Sequence, residues 1–156
     1  MGRRLRRGSA ASVQDFVRQR TLAVVGVSRS GKGFGNFAYR ELRGKGYRLF
    51  PVNPAAETIE GDPCYPSLAR LPEPVDAALI IVPPPQAEHV VRDAATAGIK
   101  RVWLQQGAES EAALKTCELY GITAVAGECI LMFAESAAWF HRAHRFGRQL
   151  MGTLPQ

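Results

Sequence analysis

Thr21-Leu22-Ala23-Val24-Val25-Gly26-Val27, continued by Ser28-Arg29-Ser30-Gly31-Lys32-Gly33-Phe34-Gly35-Asn36, is the stretch from which the rest of the chain can be read. The first seven residues are a continuous apolar run, rich in β-branched side chains and too short for a helix. Such a run is a strand buried on both faces, which is what a parallel sheet requires. The glycine-rich continuation then lies between a strand and a helix, where backbone N–H groups and the helix dipole hold phosphate oxygens. A bare βα turn needs neither four glycines nor the two cations Arg29 and Lys32.

Working outward, Ser12 with Asp15 three residues later reads as a capping box. Val13, Phe16 and Val17 follow on one apolar face up to Arg20. Downstream, a helix is expected from Asn36 to Arg43, closed by Gly44 and Gly46, and then a strand from Tyr47 to Val52 that ends at Asn53-Pro54. Residues 55 to 74 carry Gly61 and four prolines and read as loop, with a helical turn near Ser67 to Arg70. Ala77 to Val82 is a third strand stopped by Pro83-Pro84-Pro85, after which Ala87, Val90, Val91 and Ala94 mark a helix ended by Gly98. Arg101 to Gln105 is a fourth strand, Ser110 to Tyr120 a helix capped by Gly121, and Ile122 to Ala126 a fifth strand.

Strands alternating with helices of this length require parallel pairing through right-handed crossovers. The expectation is an α/β, Rossmann-like, three-layer doubly wound sheet of about five parallel strands. Ligands in such sheets bind outside the carboxyl ends, where the strand order reverses. The division expected is a basic disordered tail over residues 1 to 11, the Rossmann-like domain over 12 to 130, and a helix over 131 to 156 packing on the domain or on a second subunit.

Composition narrows the function classes. At 156 residues the chain is the size of one domain, and its apolar and charged fractions of 46% and 22% are ordinary for a soluble protein. No apolar run reaches membrane-spanning length, and no apolar core follows the basic start, so a cytoplasmic protein is expected. Cys64, Cys117 and Cys129 are odd in number and have no CxxC spacing, which fits reduced thiols. The net charge of +6 favours polyanionic ligands, but the tail supplies four of the arginines. No strand platform or recognition helix points to a specific nucleic acid.

Three chemistries compete for the glycine loop. Gly26 to Lys32 matches G-x-x-x-x-G-K, but Gly33 stands where a P-loop needs a magnesium-binding Ser or Thr. A dinucleotide fingerprint wants glycine at Ser28 and an acid after the second strand, where Asn53-Pro54 stands instead; an NAD(P)-binding oxidoreductase is therefore the alternative reading.

The third is coenzyme A. Val25-Gly26-Val27-Ser28, Pro51-Val52-Asn53-Pro54, Val82-Pro83, Gln105-Gln106-Gly107 and Glu128-Cys129 each fall at the carboxyl end of an expected strand. In that order they resemble the stand-alone coenzyme A-binding proteins, similar to the amino-terminal domain of the succinyl-coenzyme A synthetase α subunit. The likeness spans roughly residues 20 to 130. It implies that the first loop, with Gly26, Val27, Ser28, Arg29, Lys32 and Gly35, holds the phosphates of coenzyme A or an acyl-coenzyme A. It further implies that Asn53, Pro54, Val82 and Pro83 line the adenosine side, and that Gln106 and Gly107 lie near the pantetheine arm or a neighbouring phosphate site.

The synthetases transfer a phosphoryl group through a histidine in a separate domain, which this sequence does not contain. The expectation is accordingly a binding module without catalytic residues, acting alone, as a homodimer or beside a partner enzyme subunit. Cys129 reads as a small buried residue that would face the cofactor thiol if it opened onto the cleft. His141 and His144 lack the accompanying carboxylate of a metal site, and Trp139, Phe140 and Phe146 read as packing residues.

Overall fold

A computed structural model describes residues 8–135. The residues before Gly8, and the segment with Trp139, Phe140, His141, His144 and Phe146, lie outside the described residues. The first helix, α1 (Ala10–Arg18), starts earlier than the capping box suggests. Ser9 is its cap, with Oγ accepting from Ser12 N. Asp15 caps nothing; its carboxylate pairs with Arg101 at 2.7 Å. The apolar face is as expected, with Val13, Phe16 and Val17 buried.

β1 (Thr21–Val25), α2 (Phe34–Gly44) and β2 (Arg48–Val52) form the first crossover. The connector then folds back as a hairpin of two-residue strands, β3 (Thr58–Ile59) and β4 (Asp62–Pro63), where loop alone was expected. A 3-10 turn over Leu68–Arg70 matches the helical turn read there. β5 (Ala77–Ile80), α3 (Pro84–Thr96), β6 (Arg101–Gln105), α4 (Glu111–Tyr120) and β7 (Thr123–Glu128) complete the alternation. The three prolines stop β5 and also start α3, since Pro84 and Pro85 occupy its first two positions, where a missing N–H costs nothing.

The sheet is five-stranded and parallel, in the order β2-β1-β5-β6-β7. Chain order therefore reverses between β1 and β5, and the crevice of this doubly wound sheet opens at their carboxyl ends. Two apolar layers flank it. Phe16, Tyr39, Leu42, Trp103 and Ile130 pack on one face, and Ala87, Val91, Ala94, Ala113 and Cys117 on the other. Buried Trp103 meets Phe16 and Phe133 with its ring and donates Nε1–H to Glu128 O at 2.9 Å. Ala134 is buried in the same layer.

β2 forms one margin of the sheet and contains Pro51. Its outer side is met only at the carboxyl end, where Tyr65 N donates to Pro51 O and Asn53 N to Tyr65 O.

Candidate functional site

The glycine loop lies at the reversal point. Gly26 has φ +111, and a Cβ there would sit 1.9 Å from Ile81 O, so the chain after β1 touches the chain after β5 in a way that only glycine permits. A Cβ on Gly35 would sit 2.8 Å from Gly26 O, which brings the first turn of α2 against the end of β1. Gly31 and Gly33 also have positive φ but open space around them; they give the loop its path, not its packing.

Asn36 holds the loop, a role the sequence reading did not assign to it. Its side chain is almost wholly buried. Oδ1 accepts from Ser28 N at 3.0 Å, and Nδ2 donates to Ser28 O at 2.7 Å and to Glu60 Oε1 at 2.9 Å. Glu60 is the turn residue of the β3–β4 hairpin and has φ +51, a left-handed conformation costly for a side chain of its size. Its carboxylate also accepts from Arg40 Nη1 at 2.8 Å, and Arg40 Nη1 lies 3.3 Å from Gly31 O. These long-range contacts compensate the backbone strain and make the hairpin the floor of the loop. Beside it, Tyr39 OH donates to Asp62 Oδ2 at 2.5 Å; burial first, and then that hydrogen bond to a carboxylate, pushes the Tyr39 phenol well above its ordinary range.

Ser28 Oγ lies 2.7 Å from Ser30 Oγ and accepts from Ser30 N at 3.0 Å. With its N–H given to Asn36, Ser28 shapes the loop from within. Lys32, exposed, forms no ion pair among the described residues, and neither does Arg29, whose Nη1 lies 3.4 Å from Ala55 O. Arg40 and Arg43, by contrast, are paired with Glu60 and Asp62.

The three crossover helices offer different amino termini at this end of the sheet. Ser110 caps α4, its Oγ accepting from Ala113 N. Prolines open α3, which therefore lacks the first donors. α2 starts after Gly33 with no side-chain cap and no proline, so the N–H groups of its first turn keep their capacity for an anion.

Of the other expected residues, Asn53 joins the second loop to the first. Its Nδ2 donates to Val27 O at 3.0 Å and its Oδ1 accepts from Ala55 N at 2.8 Å. Pro54 is exposed in the same turn. Val82 is half-buried and Pro83 is the cap residue of α3, both just beyond β5. Gln106 and Gly107 are exposed beyond β6, and Gln106 N donates to Glu128 O. Gly107 N donates to Glu109 Oε2 at 2.8 Å, within its own loop. Buried Gln105 anchors this corner through Oε1, which accepts from Ile130 N at 3.1 Å.

Cys129 follows β7 and is half-buried. Cys117 is in the core beneath α4, where burial pushes its thiol from 9.0 up to about 11. Burial also raises Cys64, whose Sγ lies 3.6 Å from Asn53 O. Among the described residues, no group of three His, Cys, Asp or Glu side chains is placed to hold a metal ion, and no helix is long and apolar enough to cross a membrane.

A second concavity, of about 400 Å³, lies at the opposite end of the sheet. It is lined by Leu68, Leu71, Pro74, Val75 and Ile99, before the first residues of β5 and β6. Its lining includes Glu73 but no basic residue.

A family model described as a CoA binding domain matches residues 20–135. The ADP-forming acetate–CoA ligase I of Archaeoglobus fulgidus is 29% identical over 123 residues, which is 72% of this chain but 18% of the ligase. The chain thus spans less than a fifth of the length of that curated relative. A solved structure of a hypothetical protein from Pyrococcus horikoshii OT3 superposes with a TM-score of 0.76 at 27% identity, covering 84% of this chain and 95% of that one. The dinucleotide-forming acetyl-coenzyme A synthetase 1 of Ca. Korarchaeum cryptofilum, in its apo form, gives 0.60 at 30% identity over 67% of this chain and 25% of its own.

Proposed function

Because the chain belongs to the CoA binding domain family, we propose that it binds coenzyme A or an acyl-coenzyme A at the glycine loop, as a module without chemistry of its own. The observation that carries this is the first turn of α2. Its donors are uncapped, at the reversal point of the sheet, beside two cations that no carboxylate of the described residues neutralises. A diphosphate there gains the helix dipole, backbone N–H groups and a charge-assisted contact from Lys32. The Asn36–Glu60–Arg40 network fixes the loop beforehand, so little ordering is left to occur on binding. Asn53, Pro54, Val82 and Pro83 border the crevice on either side of the loop and are assigned to the adenosine part. Gln106 and Gly107, one strand further along, are assigned to the pantetheine arm.

Calorimetry of the full chain should show saturable binding of coenzyme A. The double substitution Ser28→Ala and Lys32→Glu should weaken it by about tenfold or more, as loss of a charge-assisted contact and reversal of a charge require. No heat with coenzyme A alongside clear binding of NAD would reject this function.

A further inference from the structure

We propose that Arg29, together with the Asn53–Ala55 turn, reads a phosphate on the ribose of the bound cofactor. This rests on the assignment of the glycine loop to a nucleotide cofactor and goes on to say which one the site prefers.

In doubly wound sheets the residue at the end of the second strand faces the adenosine ribose. A carboxylate there accepts hydrogen bonds from the free hydroxyls, whereas a nearby arginine accommodates a ribose phosphate. β2 here ends at Asn53, and the carboxamide is occupied, holding Val27 O and Ala55 N. It fixes the two loops to each other and adds no negative charge. Arg29 reaches over from the first loop to the same turn, with Nη1 3.4 Å from Ala55 O. That long contact engages one donor of a five-donor guanidinium. Arg40, Arg43 and Arg48, on the same flank of the sheet, are each paired with a carboxylate, while Arg29 is exposed and has none among the described residues. A planar cation tethered over an uncharged ribose position matches a phosphate monoester, which it binds through two parallel N–H donors. Lys32, adjacent to the first turn of α2, is left for the diphosphate.

A phosphorylated ribose occurs in coenzyme A, at the 3′ position, and in NADP, at the 2′ position. Calorimetry with coenzyme A, dephospho-coenzyme A, NADP and NAD, on the wild-type chain and on Arg29→Gln, separates them. The expected result is that coenzyme A binds at least about tenfold more tightly than dephospho-coenzyme A. Arg29→Gln should remove that preference by weakening coenzyme A alone, with an unchanged thermal midpoint. Equal wild-type affinities for the two, or an equal loss for both on substitution, would overturn the proposal while leaving coenzyme A as the ligand. A preference for NADP over NAD that Arg29→Gln abolishes, without any coenzyme A binding, would uphold the ribose-phosphate reader and reject coenzyme A. Absence of binding by all four overturns both.

Discussion

At the amino ends of the strands, Arg48 and Arg101 are each closed by a carboxylate, from Glu73 and Asp15, and a hollow at that end is lined by no basic residue. At the carboxyl ends, Arg29 and Lys32 form no ion pair among the described residues, and the polar groups that are paired serve the loops' own shape. The hollow and the candidate anion site are thus at opposite ends of one sheet. Concavity points to one end; unspent charge and open backbone donors point to the other. Parallel strands with crossover helices impose this asymmetry, because every helix that follows a strand presents its amino terminus at the carboxyl edge.

Gly26→Val tests the contrast most severely. The added carbon overlaps Ile81 O, and φ +111 is unfavourable for a β-branched residue, so a loss of about 4 kcal/mol or more in urea unfolding is expected. Wild-type stability would mean that the two loops do not meet as described. Asn36→Leu comes next. It keeps the volume but strands Ser28 N and Ser28 O and leaves Glu60 Oε1 to Arg40 alone, for an expected cost of about 2–3 kcal/mol. It should also weaken coenzyme A binding at temperatures where the variant remains folded; unaltered affinity would show that the loop needs no clamp. Smallest is Ala69→Trp, which fills the amino-end hollow from an exposed position. Affinity for coenzyme A should stay within about twofold, since nothing at that end holds an anion. A large loss would move the site to the other end of the sheet.

The strands were legible because each is an apolar run bounded by glycine or proline. β6 has the limits that its sequence suggests, Arg101 to Gln105. The cap of α4 was equally local, with Ser110 at one end and left-handed Gly121 at the other. Ser9 was missed as the cap of α1 because Ser12 offers the same side chain one turn later, and only backbone geometry distinguishes them. The β3–β4 hairpin is too short for any alternation to show, and Pro63 within it imitates a loop. The candidate site divides the same way. Its glycines and cations are contiguous in sequence, whereas the clamp pairs Asn36 with Glu60, 24 residues away, and an asparagine at a helix start carries no local sign of such a partner. Glu60-Gly61 ahead of Asp62 was the available signal, since a glycine at the second turn position allows a tight hairpin.

Pro51 has a consequence for how copies of this chain behave at high concentration. In β2, Pro51 O points away from β1, toward Tyr65, so the Pro51 nitrogen lies on the outward side too and the open margin lacks a donor at its middle position. Tyr65 already occupies the next outward-facing position, Asn53. A second chain has no unbroken ladder to add to, and this side of the sheet is thereby protected against the edge-to-edge stacking through which exposed strands aggregate.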